Sequence, residues 1–529
     1  MSTQTRRRAV AIVAAAVALI AIVLVVRACT GDEDSKPPTN EAAKLVPIDT
    51  LVFASVSTDD ERPAVERARD LARRFGAYES ARDALLQRLA GDDKPVDTGK
   101  DVAPWLGDEA AFALMDTGQT TAGSIVAIEV TDEDKAREFL ERNPRQAVRK
   151  DYKGHETIRY GQVTTAFVGG FLVIGQDPTV QRAIDREDGS VRGLDKDPTY
   201  QRAVDGLPAD RVVTAYASED GLRRLLVPQG DILGGLSVML DQPALQGVAL
   251  AAAPSGDDEL RIQVHSALDA AAQKASPTPF RQFDPELIEQ VPADALGYLG
   301  ASGVNGALQR LVVSAVGGSG SDVNELLGRL RTELQKETDG GLERDLLKLF
   351  ENEVALVIQS STPAPVLSLM TKTDDESGTS RTLDKLRGPL ARLLRPRGEE
   401  ALQWDPVDLE GADAWTLKLP NGAAITYAVT GGRLILSTTP EGVRKIVEAG
   451  DTLDESDRFE DVLGDRSEKV GTLGFLDFSQ LLELGEQTGL NDSRAYLRVR
   501  DDLRKITAVG VSSSSEEGES TAEILVSIP

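Results

Sequence analysis

The chain contains few of the residues that usually carry metal or nucleophile chemistry. It has a single cysteine, Cys29, and only two histidines, His155 and His265, in 529 residues. One cysteine cannot form a disulfide within the chain. The same counts argue against His/Cys metal sites and against catalysis that depends on histidine or cysteine. We therefore expect no metal, no cofactor and no enzyme of these classes.

Aromatic residues and positive charge are also scarce. The aromatic share is 4% against 41% apolar residues, so the cores should be built mainly from Val, Leu, Ala and Ile. The net charge of −27 repels phosphate backbones, which argues against a nucleic-acid partner. A chain of this length exceeds one ordinary core and predicts about two to four domains.

The amino terminus carries one uncharged run behind three basic residues. Arg6, Arg7 and Arg8 precede the apolar segment from Ala9 to Val26. At about 1.5 Å per residue, a helix of this length approaches the roughly 30 Å hydrocarbon core of a bilayer. Because the arginines should stay in the cytoplasm, we expect a signal anchor within 1–29 and an extracytoplasmic remainder. The protein would then be a single-pass protein of the cell membrane.

Two other interpretations of this segment remain open. The letters before Cys29 form Val26-Arg27-Ala28-Cys29, which is similar to a lipoprotein cleavage site, although Arg27 fits that pattern poorly. Cys29 would then be lipidated. Simple cleavage and secretion is the third possibility. In each case residues 30–44 have the composition of a polar linker.

The rest of the sequence contains an internal repeat. "VPIDTLVFASVS" from Val46 matches "VPADALGYLGAS" from Val291, and further blocks follow in the same order in both halves. This predicts two tandem homologous domains, 45–268 and 285–529, joined by a linker at 269–284. The second copy is longer between Thr371 and Gly431, so we expect an inserted, projecting surface segment there.

The periodicity of each copy predicts an α+β fold with a mainly antiparallel sheet packed with helices. Gly169-Gly170 and Gly431-Gly432 are predicted two-residue hairpin turns, because glycine adopts positive φ freely. Proline soon afterwards, at Pro178 in the first copy, predicts the start of a helix. A strand is expected over 51–57, a long helix over about 61–90, and strands near 110–115, 124–130, 156–161, 163–168 and 171–175.

The closing strand of the first copy alternates between apolar and polar residues. In "ELRIQVHSA", Leu260 and Val264 are predicted on a dry face, and Gln263 and His265 on a wet one. His155 is likewise expected to be a solvated side chain.

Three short motifs together resemble the bacterial domain-of-unknown-function family 3352. They are Pro47-Ile48-Asp49, Trp105-Leu106-Gly107-Asp108 and the hairpin Val168-Gly169-Gly170-Phe171-Leu172-Val173-Ile174-Gly175. The resemblance covers about 45–529. It implies an envelope protein of high-GC Gram-positive bacteria with an N-terminal signal or lipoprotein segment. It implies no catalytic residues.

Several charged groups could carry chemistry, but each has a simpler interpretation. Asp108 and Glu109, which follow Trp105, could be carboxylates beside a sugar that stacks on the tryptophan ring. However, adjacent residues of a strand point to opposite faces, so the two carboxylates would not share one site. The acidic loop 185–197 lacks the ligand spacing of a calcium loop. A basic cluster near the insertion could contact an anionic surface or be a charged helix face; its members are Arg381, Lys385, Arg387, Arg392, Arg395 and Arg397.

No reactive constellation can be recognised, so the sequence favours a non-catalytic function. We expect a membrane-tethered binding or scaffolding module of the cell envelope, with an unknown envelope protein as partner. A carrier of an apolar ligand such as a lipid is the first alternative, because a one-sided sheet under helices can open a cavity. A carboxylate-dependent hydrolase is the second.

Overall fold

The computed structural model describes residues 37–76, 78, 98–116, 122–141, 147–226, 244–275, 281–303, 341–361, 364–395, 402–409, 411–420 and 422–529. These residues form two compact units. The first unit contains the described residues up to Lys274, with Glu516–Glu523 and Ile528–Pro529. The second contains those of Ala275–Ser515, with Ile524–Ser527. Both units are α+β, and the strand pairings described below are antiparallel.

One antiparallel sheet organises the first unit. Its strands are β1 Thr50–Ser57, β2 Leu106–Met115, β3 Gly123–Val130, β4 Ala147–Tyr152, β5 His155–Tyr160, β6 Val163–Val168, β7 Phe171–Gly175, β8 Val213–Ser218, β9 Leu245–Ser255 and β10 Glu259–Leu268. The spatial order is β4-β5-β6-β7-β3-β2-β1-β8-β9-β10. The strands expected from the sequence therefore all form, with slightly different ends.

Helices cover both faces of this sheet. They are α1 Pro63–Arg73, α2 Glu133–Glu141, α3 Asp177–Glu187, α4 Pro198–Asp205, α5 Glu219–Leu226 and α6 Ala270–Lys274, with single turns at Glu41–Lys44, Thr98–Val102 and Leu194–Lys196. Val180 of α3 and Ala203 of α4 pack with Phe53 in one core cluster. Val65 of α1 packs with Phe112 in another. The sheet is therefore covered on two sides, not on one as the carrier interpretation assumed.

The second unit has its own antiparallel sheet. Its strands are β11 Ala295–Ser302, β12 Glu353–Gln359, β13 Val366–Lys372, β14 Trp404–Pro406, β15 Asp413–Lys418, β16 Ala424–Thr430, β17 Arg433–Ser437, β18 Thr472–Asp477 and β19 Ala508–Glu516. They lie in the order β14-β15-β16-β17-β13-β12-β11-β18-β19. The last strand of the chain is β20, Glu519–Ser527.

Several helices of the second unit begin at polar caps. They are α7 Gly341–Lys348, α8 Glu376–Leu393, α9 Pro440–Val447, α10 Asp457–Leu463, α11 Phe478–Gln487, α12 Arg494–Leu497 and α13 Arg500–Leu503; single 3₁₀ turns lie at Leu287–Gln290, Leu453–Glu455 and Leu490–Asp492. Thr439 caps α9 by accepting from the Gly442 N–H, which satisfies a donor that the helix cannot. Val443 of α9 and Phe459 of α10 pack with Val357 of β12 in the core.

The two glycine pairs make the turns that the sequence predicts. Gly169 and Gly170 have φ of 57° and 83° and join β6 to β7, with Val168 paired to Phe171. Gly431 and Gly432, with φ of 59° and 72°, join β16 to β17 in the same way. This prediction is confirmed, because only glycine adopts these angles without a steric cost.

The predicted faces of β10 are wrong. His265 is 4% exposed, and its Nδ1 lies 3.0 Å from the Thr521 hydroxyl, whereas Leu260 and Val264 are only half-buried. Helix α4 and the residue after it pack on the polar face, where the Gln263 amide donates to the Gly206 carbonyl at 2.8 Å. A helix from elsewhere in the chain thus covers the face that alternation assigns to water. His155 is closer to expectation, since its side chain is 29% exposed beside Glu187.

Two further expectations need correction or lie outside the described residues. The segment between Thr371 and Gly431 was expected to project, but its described part forms α8 and strands β14 to β16, and α8 packs through Leu383 and Leu386. The long helix expected over about 61–90 is described only as α1 to Arg73. Among the described residues no helix is long and apolar enough to cross a membrane. The predicted anchor, with Arg6, Arg7, Arg8 and Cys29, lies outside them.

Candidate functional site

A polar cleft of about 620 Å³ opens in the first unit, at the start of β1. Secondary-structure elements far apart in sequence converge there: the β1 start, α3, the end of β8 and α5. The residues that line the cleft are Ile48, Asp49, Thr50, Leu51, Asp116, Arg182, Asp197, Thr199, Tyr216, Ser218, Glu219, Asp220, Arg224 and Gln246. Asp49 belongs to one of the motifs noted in the sequence, but nothing in the sequence links it to the others.

Close packing of α5 on β1 forms one wall. The Ser218 hydroxyl donates to the Leu51 carbonyl at 3.3 Å and accepts from the Gly221 N–H at 3.2 Å. A Cβ on Gly221 would lie 1.9 Å from that same carbonyl oxygen, so only glycine allows this approach. Gly221 therefore determines the positions of Glu219 and Asp220, the carboxylates at the amino terminus of α5.

Two arginines in the cleft are held by carboxylates. The Arg182 guanidinium donates to both Asp49 oxygens, at 2.5 and 2.7 Å, and also to the backbone carbonyl of Asp116. Arg224 pairs with the Asp116 carboxylate at 2.6 Å. Both arginines that line the cleft are therefore already engaged in ion pairs.

Carboxylates outnumber guanidinium groups in this lining. Asp197, Glu219 and Asp220 are present besides the two aspartates already paired, whereas the lining arginines are Arg182 and Arg224; Glu219 pairs with Arg223 at 2.5 Å. Asp197 also caps α4 by accepting from the Thr199 N–H at 2.8 Å. The cleft is thus a net negative surface, to which a cationic ligand is attracted.

Tyr216 brings a hydroxyl group to the cleft from the core. The residue is 2% exposed, and its ring packs edge-on against Tyr200 with the centroids 5.1 Å apart. Its hydroxyl has no hydrogen-bond partner among the residues that the structure describes. Burial raises the pKa of Tyr216, the charge of Asp197 raises it further, and Arg202 partly offsets both. The phenol therefore stays protonated and can donate or accept a hydrogen bond in the cleft.

Two buried glutamates were missed by the sequence analysis. Glu109 is 1% exposed, and its Oε2 accepts from the Ala42 N–H at 3.1 Å. Burial raises the pKa of Glu109 to about 8, although the Ala42 N–H acts in the opposite direction. The only sequence signal was a charged residue inside an apolar strand.

Glu353 holds the corresponding turn of the second unit. It accepts from the N–H groups of Glu286 at 3.0 Å and Leu287 at 3.1 Å, and from the Tyr298 hydroxyl at 3.2 Å. Burial raises the pKa of Glu353, and these donors lower it in part. Each glutamate therefore satisfies backbone donors of a short helix that has no earlier turn to bond them.

Packing and ion pairs within the described residues engage the carboxylate and calcium candidates. Trp105 is 3% exposed and donates from its indole to the Asp101 carbonyl at 2.7 Å, as a core tryptophan does. Asp108 is exposed while its neighbour Glu109 is buried. In the acidic loop, Asp185 and Asp188 pair with Lys153. Within the described ranges, no group of three or more His, Cys, Asp or Glu residues could hold a metal ion.

The structure divides the basic cluster near α8. Arg381, Lys385, Arg392 and Arg395 are exposed, and Arg397 lies outside the described residues. Arg387 points the other way. Its guanidinium lies 3.5 Å from the centroid of the Trp415 ring and donates to the Tyr427 hydroxyl at 2.7 Å. Arg387 therefore packs inside the second unit and differs in this from the exposed members of the basic cluster.

These observations define an α+β protein with an acidic polar cleft in its first unit. The chain belongs to the family described as "Protein of unknown function (DUF3352)", whose family model matches residues 8–528. No curated protein sequence is similar enough to count as a match.

Three solved structures show a distant likeness. They are crystal forms IV, III and I of TP0453, with 7%, 10% and 9% sequence identity. The matched parts cover 42%, 43% and 45% of this chain and 79%, 79% and 80% of the TP0453 chains. The TM-scores of 0.26, 0.27 and 0.27 are too low to support any argument from them.

Proposed function

We propose that the protein is a membrane-tethered, extracytoplasmic binding module that is not an enzyme and holds a cationic ligand in the cleft of its first unit. The observation that carries this proposal is a cleft lined by five carboxylates and two arginines, with Tyr216 at its inner wall and Glu219 already paired with Arg223. The charge of the lining selects the sign of the ligand, and the hydroxyl supplies a directional hydrogen bond.

The proposed ligand is small, polar and positively charged, such as an amine or the lysine side chain of an envelope protein. Asp220 is exposed and makes no ion pair with the other described residues, so its carboxylate can pair with an ammonium group. A charged lining disfavours an apolar ligand, which would lose the hydration of these groups without replacing it. The carrier interpretation is therefore less well supported at this cleft than the binding module.

The proposal includes the tether and the duplication. Arg6–Arg8 before the uncharged run supports a cell-membrane anchor of a Gram-positive envelope protein, either a signal anchor or a lipid on Cys29. The equivalent strand orders of the two units, together with the repeated sequence blocks, support two tandem copies of one domain. The proposed ligand site is assigned to the first copy, whose residues line the cleft.

Titration calorimetry on the detergent-solubilised full chain tests the binding site. The probes are spermidine and a lysine-containing tripeptide, with glucose and inorganic phosphate as neutral and anionic comparisons. We expect binding of the cationic probes only. Tyr216→Phe and Asp220→Asn should each weaken it roughly three- to tenfold, the effect of losing one hydrogen bond or charge contact. Tyr160→Phe and Asp134→Asn, which lie outside the lining, are the matched controls.

Two results would count against the proposal. Equal binding of phosphate and spermidine would mean that the carboxylates do not set the specificity. Near-stoichiometric lipid in organic extracts of the purified protein, detected by mass spectrometry, would favour the apolar carrier.

A further inference from the structure

Basic side chains form a stripe along the solvent face of α8 in the second unit. Arg381, Lys385 and Arg392 are exposed on the helix, and the exposed Arg395 follows two residues after its end. At 3.6 residues per turn Arg381, Lys385 and Arg392 lie within about 40° of one another and extend over about 17 Å, and Arg395 follows beyond the end of the helix. We refer to Arg381, Lys385, Arg392 and Arg395 as the α8 stripe.

Packing fixes the direction in which the α8 stripe faces. Leu383 and Leu386 on the opposite side of the helix are buried with Tyr427 and Leu434 of the sheet. The helix begins at Asp375, whose side chain accepts from the Gly378 N–H at 2.8 Å. Because the helix cannot rotate without exposing these leucines, the basic side chains stay outside.

Within the part of the chain that the structure describes, few acidic groups compete for the α8 stripe. Asp384 is the acidic residue of α8 nearest to it, and that carboxylate pairs with Arg387, on the inner side. Lys385 and Arg395 make no hydrogen bond or ion pair within the described part of the chain. Among the described residues, Arg381 donates only to the Ser377 carbonyl of its own helix, at 3.1 Å. Lys385 and Arg395 therefore keep their charge available for a partner, and Arg381 engages only a neutral carbonyl among the described residues.

We propose that the α8 stripe docks on the anionic headgroups of a lipid bilayer. The chain has 86 acidic and 59 basic residues, so an anionic surface repels most of it and a local cationic line determines which side approaches. A straight line on one exposed helix matches a planar surface better than a groove would. Each basic residue beside an anionic leaflet adds about fivefold in affinity.

The docking of the α8 stripe and the proposed function have only the membrane location of the protein in common. The docking is independent of the ligand in the cleft. The proposed N-terminal tether would keep the second unit near the bilayer, so that a weak contact is enough to populate the docked state.

Fluorescence energy transfer on the full chain tests the docking. A dye on Gly388→Cys, an exposed position on the stripe side of α8, is the donor, and Cys29→Ser removes the native thiol while leaving Ala9–Val26 intact. The acceptor is a headgroup-labelled lipid. The protein is reconstituted into vesicles of phosphatidylcholine alone, or of equal parts phosphatidylcholine and phosphatidylglycerol. We expect strong transfer only with phosphatidylglycerol.

The decisive variant neutralises the α8 stripe by Arg381→Gln, Lys385→Gln, Arg392→Gln and Arg395→Gln, and should lower the transfer at least about tenfold. The matched control removes the same charge at exposed positions of the first unit, by Arg73→Gln, Lys196→Gln, Arg223→Gln and Lys274→Gln. The control should keep the signal. Unchanged transfer in the stripe variant, or equal transfer with both vesicle types, overturns the proposal.

Salt distinguishes this contact from the tether. Because about 1 M salt shortens the Debye length to about 3 Å, it should abolish the transfer while a tethered protein stays on the vesicles. Loss of the protein itself in salt would refute the tether but not the stripe. If the stripe variant loses binding to soluble polyphosphate but keeps its lipid signal, the partner is an anionic polymer and the lipid proposal is wrong.

Discussion

Glu109 Oε2 accepts a hydrogen bond of 3.1 Å from the backbone N–H of Ala42. The carboxyl group thereby holds the turn Glu41–Lys44, through which the chain enters the first unit. Its second oxygen, Oε1, is buried with no hydrogen-bond partner among the described residues. A charged carboxylate is poorly solvated there, which explains why the neutral form is favoured.

The stability of the first unit should therefore depend on pH. The pKa of Glu109 is about 8 in the folded protein and 4.5 ordinarily, so between these values the folded state binds more protons than the unfolded state. The free energy of unfolding should fall by on the order of a few kcal/mol as pH rises from 4.5 to 8, and this contribution is fully present below 4.5.

Urea unfolding of wild type and Glu109→Gln at pH 5 and pH 9 measures this effect, because the neutral amide keeps the acceptor but cannot ionise. We expect the variant to gain stability relative to wild type at the higher pH only. Glu41→Gln, which removes an exposed carboxylate of the same turn, is the control and should reduce the pH dependence only slightly, because the charge of Glu41 is a minor cause of the raised pKa of Glu109. Parallel curves for wild type and Glu109→Gln would contradict the assignment.

Arg387 should be needed for the stability of the second unit and not for surface binding. Arg387→Met loses the contact with the Trp415 ring, the hydrogen bond to Tyr427 and the pair with Asp384. We expect a loss of about 2–4 kcal/mol in thermal or urea unfolding. Arg387→Lys should recover little of it, because an ammonium group lacks the planar fork that stacks on tryptophan. Arg381→Lys on the outer side of α8 should leave stability unchanged.

Gly221→Ala should disturb the wall of the cleft. The added Cβ would lie 1.9 Å from the Leu51 carbonyl oxygen, so α5 must move away from β1 at a cost of about 1–3 kcal/mol. Spermidine affinity should fall together with stability, since the α5 carboxylates shift. Gly450→Ala adds a Cβ with no atom within 4 Å and serves as the control. A fully stable Gly221→Ala protein with normal affinity would exclude this role for the α5–β1 contact.

Protease treatment of intact spheroplasts should digest residues 30–529. The expectation follows from the positive-inside rule applied to Arg6, Arg7 and Arg8 ahead of the run Ala9–Val26. Immunoblotting against a carboxy-terminal epitope gives the measurement, and a cytoplasmic marker protein reports membrane integrity. Full protection of the epitope while the spheroplasts remain intact would rule out an extracytoplasmic location.

Local sequence patterns determined the elements and their turns. Gly169-Gly170 and Gly431-Gly432 make the predicted hairpins because positive φ is a property of the residue itself, independent of its surroundings. Strand periodicity likewise placed β5, β6 and β7 within a residue or so of their observed ends. The α+β class and the family membership followed from the same short-range signals.

Only the tertiary structure decided which side chains meet and which faces are covered. Helix α4 buries His265 on a face of β10 that the alternation of residues assigned to solvent. Glu109, which follows the exposed Asp108 in the sequence, is buried and accepts a hydrogen bond from the Ala42 N–H. Asp49, Arg182 and Tyr216 come together although long stretches of chain separate them. Arg387 and Lys385 belong to one basic run, yet helical rotation and packing send one to Trp415 and the other to solvent. The physical reason is that periodicity describes one element at a time, whereas burial and electrostatic contact depend on the element packed against it.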